Sequence, residues 1–451
     1  MGTYGRYYGG QSRQFTSGYP PQPRLSSGIA GMPKHKNVAV IDIGKTNVKV
    51  AVVETESWTE IAVRKISNRV LDDGPYPHFD IDRIWEFLLR ALRELHALHR
   101  VDAISVTTHG ATVVLLDQTG QLAFPVLDYE YTGIDSARQD YDRIRPDFRQ
   151  TGSPGLAGGL NTGAQIYWLE SQFPDKFSKV QTVLMYPQYW AFRLSGVAAN
   201  EVTSLGCHTD LWQPGSGSYS DLVTRRGWLE KMAPLRSAFE CLGPLVPGVA
   251  EETGLSGHIP IYCGMHDSNA SLLPYVLRNE RPVSVVSSGT WVIVMALGTP
   301  VEGLNPAQDT LVNVDALGGP VPTARFMGGR DFEDLLGSES AEPTPEEIKS
   351  ALLSGVRVLP ANLEQKTHWS ANPDALSVGE KTALVSVFLA EETEIRLNLI
   401  GAQGPIYVEG PFCKNGVFTS HLAALTNRPV KSDLLASTGT AVGAAMLTVG
   451  P

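Results

Sequence analysis

A strand, a glycine–threonine turn and a second strand occur twice in this chain of 451 residues, about 245 positions apart. The first copy is 38–43, the turn Gly44-Lys45-Thr46-Asn47, and 48–53. The second is 283–287, the turn Ser288-Gly289-Thr290, and 291–296. Each is a short β-branched run broken by glycine, the pattern of buried strands joined by a tight turn. The repeat points to two related halves facing each other across a cleft. Residues 61–66 read as a third strand, so the chain opens as an antiparallel meander rather than a strand–helix crossover. Residues 81–99 then read as an amphipathic helix, with Ile84, Leu88, Ala91, Leu95 and Leu98 on one stripe and Asp80 or Asp82 as its cap.

Further strands are expected at 103–107, 112–116, 260–263 and 405–408, and helices at 165–171, 188–194, 381–398, 419–426 and 437–447. Residues 151–163 and 213–217 read as loops. Residues 1–36 are rich in Gly, Tyr, Ser, Gln, Pro and Arg, with no acidic residue before Asp42. That stretch is expected to be a disordered, solvated tail, since it offers little apolar surface to offset ordering. With 37 Lys+Arg against 47 Asp+Glu, the net charge of −10 disfavours non-specific binding to nucleic acid or an anionic membrane. No apolar run approaches the ~20 residues of a membrane span, and four scattered cysteines suit a reducing, cytoplasmic compartment. Cys263 with His266, and Cys207 with His208, form no paired CxxC arrangement, so structural zinc is not expected.

Three segments carry candidate chemistry. In Asp42-Ile43-Gly44-Lys45-Thr46-Asn47, the turn offers N–H groups, the Thr46 hydroxyl and the Lys45 charge to phosphates, and Asp42 offers a carboxylate to Mg²⁺, through water. An ordinary polar hairpin fits the same residues. In Gly264-Met265-His266-Asp267-Ser268-Asn269-Ala270, Asp267 stands at the mouth of a glycine turn, placed to take a proton from a hydroxyl. Capping of the helix that follows is the competing reading of Asp267. Ser287-Ser288-Gly289-Thr290 offers a second phosphate turn, or a plain hairpin.

Taken in order, these segments resemble the FGGY carbohydrate kinases, within the actin-like, sugar kinase and Hsp70 superfamily. VAVIDIGKTNVKVAVVE and VVSSGTW resemble the two phosphate motifs, and GMHDSNASL the catalytic-aspartate motif. MYPQYWAFRLSG followed by ANEVTS resembles the family's helix and Thr/Ser-rich stretch. YVEGPFCKNGVFTSHLAALTNRPV and STGTAVGAAML resemble the adenosine region and closing helix. The resemblance covers about 37–450. It implies an α/β fold of two actin-like ATPase (ribonuclease-H-like) domains, each on a mixed five-stranded sheet, with ATP and sugar in a central cleft. The division implied is a tail at 1–36, an N-terminal kinase domain at 37–262 and a C-terminal one at 263–451. By resemblance Asp267 is the general base and Asp42 lies near Mg²⁺. Gly44, Lys45, Thr46, Asn47, Gly289 and Thr290 bracket the phosphates, Gly410 and Asn415 line the adenosine end, and His109, Gly110 and His266 meet the sugar.

The His-Asp pair and SSGTW resemble the rhamnulokinase and fuculokinase branch, which implies a 6-deoxy-ketohexose, or a ketopentose, phosphorylated at a primary hydroxyl. Lys45 stands where the family has Thr or Ser, and Glu409-Gly410-Pro411-Phe412 where it has a run of glycines. The expected partner is a small sugar, with no nucleic acid and no membrane, in a monomer or homodimer. A catalytically silent sugar or nucleotide sensor on the same fold is the alternative, followed by a hydrolase.

Overall fold

The computed structural model describes residues 35–337, 339–361, 365–432 and 439–451. The expected tail lies outside these residues up to position 34, as do the first two residues of the expected closing helix. Strands β1 (Asn37–Ile43), β2 (Asn47–Glu54), β3 (Thr59–Ser67), β4 (Ala103–Thr108), β5 (Cys241–Pro244), β6 (Pro260–Tyr262) and β7 (Met265–His266) form one sheet. Strands β8 (Val283–Ser288), β9 (Val292–Leu297), β10 (Thr310–Val314), β11 (Pro320–Phe326), β12 (Ile406–Glu409) and β13 (Val430–Lys431) form another.

The two sheets share one plan. The order β3-β2-β1-β4-β6 recurs as β11-β9-β8-β12-β13. In both, the first three strands in sequence pair antiparallel and the fourth and fifth add in parallel. The five-stranded core expected from the family is therefore present twice, extended by β5 and β7 in the first sheet and by β10 in the second. The division expected at 262/263 falls just before β7, which still pairs with β4 of the first sheet.

Seven helices position the site: α1 (Ile81–His99), α2 (Tyr186–Ser195), α3 (Asp267–Arg278), α4 (Gly328–Leu336), α5 (Val378–Leu399), α6 (Gly416–Thr426) and α7 (Gly439–Met446). Strand residues alternate between faces, and the alternation sorts the layers. Ile41, Ile43, Val50 and Val52 meet Ile84, Leu88 and Leu92 of α1 and Trp190 and Leu194 of α2. Val38, Val40, Ala51 and Val53, on the opposite face, share a core with Leu272, Leu273 and Val276 of α3 and Ala441, Ala444 and Ala445 of α7. Val283, Val285, Met295 and Leu297 of the second sheet enter that same core from the other side. Val286, Val292 and Val294 face outward onto Val385 and Leu389 of α5 and Phe418 and Leu422 of α6. The layers thus run helix, sheet, helix pair, sheet, helix.

Several local expectations change. Asp80 caps α1 by accepting from Arg83 N–H at 3.1 Å, but Leu98 stands 64% exposed, because the buried stripe follows Leu88, Leu92 and Leu95. The strand expected at 112–116 is Val113–Leu116, paired with Thr182–Met185 outside both large sheets. The loop expected at 151–163 contains a 3₁₀ turn, Gly158–Leu160, and its last two residues start the helix Thr162–Gln172. Among the described residues no helix is long and apolar enough to cross a membrane.

Candidate active site

The shared middle layer ends at the N-terminus of α3, and beyond it the sheets part to form a cleft. Its two cavities, of about 390 and about 720 Å³, both touch Thr46, Asn47, Lys65, Gly289 and Thr290. The two glycine–threonine turns therefore stand at the waist of one continuous cleft. Within them Gly44 N–H donates to Asn47 O at 2.8 Å and Gly289 N–H to Trp291 O at 2.9 Å. The N–H groups of these two glycines are thus occupied inside their own turns, which leaves the turns' other N–H groups and their hydroxyls as the candidates for phosphate. Gly329 lets α4 close on the second turn, since a Cβ there would lie 1.9 Å from Gly289 O.

Asp42 and Asp267 both line the smaller cavity. Asp42 ends β1 opposite Lys49 of β2, whose Nζ is 3.4 Å away. Burial raises the Asp42 carboxyl above its ordinary range; Lys49 opposes the rise, and the nearby charge of Asp267 adds to it. Asp267 is the first residue of α3 and His266 occupies the N-cap position, so Asp267 meets the helix start from inside its first turn rather than as the N-cap. Its Oδ1 accepts from Ser268 N–H at 2.6 Å and lies 3.2 Å from His266 Nε2. Burial pushes this carboxyl up to about 6, with the Ser268 bonds pulling the other way. A carboxylate so poised, 30% exposed, can accept a proton from a hydroxyl near neutral pH.

The histidines are neutral donors and acceptors here. Burial lowers both His109 and His266 to about 4. Asn269 Nδ2 lies 3.3 Å from His266 Nδ1, while His266 Nε2 lies 3.2 Å from Asp267 Oδ1 and 3.6 Å from Cys207 Sγ. His109 packs among Phe79, Tyr129 and Tyr186, at ring separations of 5.2, 5.2 and 5.1 Å. Its Nδ1 lies 2.8 Å from Gly110 O, which leaves Nε2 as a buried acceptor without a protein partner among the described residues. Gly110 makes room for its neighbour, since a Cβ there would come within 2.8 Å of His266 Nε2.

Lys45 departs from expectation. Its ammonium pairs with Asp128 and, at 3.5 Å, with Glu130, and stands 4.9 Å from the Tyr129 ring centroid. It lines only the smaller of the two cavities, so the cation at the waist is Lys65. Gly410 lines neither cavity; at φ +78° it lets β12 pass Ser288, whose carbonyl would be 2.0 Å from an added Cβ. Asn415 lines the larger cavity beside Phe332 and Phe412, but its side chain caps α6, accepting from Phe418 N–H at 3.0 Å and donating to Ser386 at 2.8 Å. Lys65, Tyr129 and Arg325 also line the cleft and escape the sequence reading, as does the place in it of Cys207 and His208, read there only for zinc.

The turn bearing Asp267 is braced from behind. Gln188 of α2 donates to the carbonyls of Cys263 and Gly264, at 3.2 and 3.1 Å. Thr203 accepts from His266 N–H at 3.0 Å while donating its own hydroxyl to the buried Glu201 at 2.6 Å. The RLSG helix and the EVTS stretch are thus the scaffold of this turn.

Asp42 with Asp267 gives a site one or two carboxylates, and among the described residues no group of three or more His, Cys, Asp or Glu could hold a metal alone. That donor set suits Mg²⁺, which keeps several waters and is shared with phosphate oxygens. A cleft with hydroxyl-bearing turns and Lys65 at its waist and a phenylalanine-lined chamber beyond suits a nucleoside triphosphate.

Comparison with known proteins agrees with this geometry. The N-terminal domain of the FGGY family of carbohydrate kinases matches residues 38–274, and the carbohydrate kinase FGGY C-terminal domain matches 280–451. The crystal structure of a carbohydrate kinase from Novosphingobium aromaticivorans is 36% identical, covering 92% of this chain and 91% of that one, with a TM-score of 0.80. L-fuculokinase of Escherichia coli K12 is 24% identical over 60% of this chain and 58% of its own. Rhamnulokinase of Pectobacterium atrosepticum is 26% identical over 65% and 59%. The chain spans a little over half the length of the curated relatives it matches.

Proposed function

Since the chain belongs to the FGGY family of carbohydrate kinases, we propose that it moves the γ-phosphate of ATP to a primary hydroxyl of a small ketose, with Asp267 as general base. The observation that carries this reading is the Asp267 carboxyl, raised to about 6 and lining the cleft together with Asp42 and both glycine–threonine turns. ATP with Mg²⁺ supplies the transferable phosphoryl group and the cation that offsets its charge.

The chain's own groups do the rest. Thr46, Thr290 and Lys65 hold phosphate oxygens at the waist, within turns shaped by Gly44, Asn47 and Gly289. Asp42 would hold the metal. The chamber of Phe332, Phe412 and Asn415 receives the adenosine end. On the sugar side, His109 Nε2 accepts a hydroxyl hydrogen, and His266 orients the Asp267 carboxylate. Asp267 then takes the proton of the attacking hydroxyl. A 6-deoxy-ketohexose, or failing that a ketopentose, is the proposed substrate, supported by relatives that are themselves an L-fuculokinase and a rhamnulokinase. The four free thiols suit the reducing cytoplasm proposed for it.

Release of ADP across a panel of ketoses, aldoses and polyols tests the reading. A kinase needs the sugar, a hydrolase releases ADP without it, and a sensor releases none. Asp267→Asn is expected to lower sugar-dependent turnover by about 10²–10⁴ while ATP binding, followed by calorimetry, stays close to wild type. Near-normal turnover in that variant refutes the assignment of the base.

A further inference from the structure

The face of the second sheet that packs on α3 and α7 runs on past Met295 into the cleft. There Ile293 of β9 stands opposite Arg325 of β11, and Thr323 of β11 opposite Leu311 of β10. All four line the smaller cavity. This end of the sheet is fastened to the first half of the chain: Val312 N–H donates to Gly152 O at 2.9 Å. At Gly152 and Gly206 an added Cβ would come within 2.4 Å of Val312 and 2.3 Å of Val314, so the two halves touch closely at both points. Arg325 is thereby held against the wall that carries Cys207 and His208.

Arg325 is only 6% exposed. Its Nε donates to Asp309 Oδ1 at 3.2 Å, and its guanidinium lies 4.8 Å from the Trp291 ring centroid. Among the described residues its two terminal Nη groups make no hydrogen bond to protein, and they are not sealed from solvent, so they remain available to a ligand in the cavity. Asn313 offers an independent sign of a missing polar ligand. It is 2% exposed, lines the same cavity, and its Oδ1 has no protein partner among the described residues. A flat fork of donors beside a lone acceptor fits neighbouring oxygens of a polyhydroxy compound.

We propose that Arg325 is a specificity-determining residue, giving its Nη donors to oxygens of the sugar other than the one phosphorylated, with Asn313 accepting a hydroxyl beside it. The assignment rests on the kinase reading above and narrows it to a neutral sugar. Asp309 already balances the guanidinium, and a substrate carboxylate would add negative charge to a cleft that holds Asp42 and Asp267 and receives a triphosphate.

The test compares Arg325→Lys and Arg325→Met with the wild-type full chain, using L-rhamnulose, L-fuculose and D-gluconate. Arg325→Met is expected to raise KM for the neutral sugar about 10- to 100-fold, with kcat within about 3-fold and KM for ATP unchanged. Arg325→Lys, which keeps a charge for Asp309 but loses the fork, is expected to fall between, and it carries the test if the methionine variant does not fold. Unchanged sugar KM in the lysine variant overturns the proposal, as does an equal rise for sugar and ATP, which marks a structural role. Preference of the wild type for D-gluconate overturns the neutral-sugar assignment. If the wild type turns over none of these and no other member of the panel of ketoses, aldoses and polyols, the kinase reading has failed. Calorimetric binding of the same sugars then decides Arg325, and equal affinity in wild type and Arg325→Lys refutes it.

Discussion

Asp267 keeps part of its carboxyl open to the cleft while burial holds its pKa near 6, between an ordinary aspartate and a group neutral at pH 7. A base acts in its ionised form. Because the shift is upward, ionisation is complete above about 7 and is lost as pH falls through about 6. The pH profile of sugar kcat/KM should therefore be flat near neutrality and fall about tenfold per unit below 6. A profile flat down to pH 4.5 would remove Asp267 from the proton step. His266 Nε2 lies 3.2 Å from this carboxylate, and a hydrogen donated from it would favour the ionised form. His266→Phe keeps the ring volume and removes that donor. It should move the acidic limb to higher pH, and a limb unmoved or moved downward means His266 does not stabilise the charge.

At the scale of the element, one turn places this residue. Gly264 has φ +79°, and a Cβ on it would lie 2.4 Å from Val106 O in β4. Gly264→Ala should lower the unfolding free energy by roughly 2–4 kcal/mol, read by denaturant titration. Gly248→Ala, with nothing within 4 Å of the added methyl, should be neutral or slightly stabilising; equal losses in both variants would show that the contact with Val106 is unimportant. The turn itself was legible in the sequence, as were both strand–turn–strand copies and α1, because each is specified by neighbours within one or two turns of chain. What the sequence hid was direction across distance. Lys45 looks like a phosphate ligand until Asp128, 83 residues on, claims its ammonium. Arg325 sits in an ordinary alternating strand and becomes part of a site only through register with β9 and the contact of β10 with Gly152. Gly410 reads as nucleotide contact by analogy, whereas its missing side chain serves the crossing of β12 and Ser288.

On the scale of the molecule, the two sheets share a middle core besides their separate outer ones. α3 and α7 lie between them, touching backbone to backbone: a Cβ on Gly443 would sit 1.8 Å from Ala270 O. Ser105 of the first sheet donates to Ala444 O of α7 at 2.7 Å, while Val283 and Val285 of the second sheet enter the same apolar layer. A two-domain chain with a small polar interface unfolds in steps, but a large apolar interface couples the halves. Heat or denaturant should therefore unfold both halves in one transition, followed in parallel by tryptophan fluorescence and circular dichroism. Gly443→Leu should wedge α7 from α3 and lower that single midpoint. Two separated transitions in the wild type, or a Gly443→Leu variant that shifts only one of two, would mean that the halves are stabilised independently. The cleft begins where this common layer stops, so the helix pair that joins the halves also bears on the spacing between Asp42 near the end of β1 and Asp267 at the start of α3.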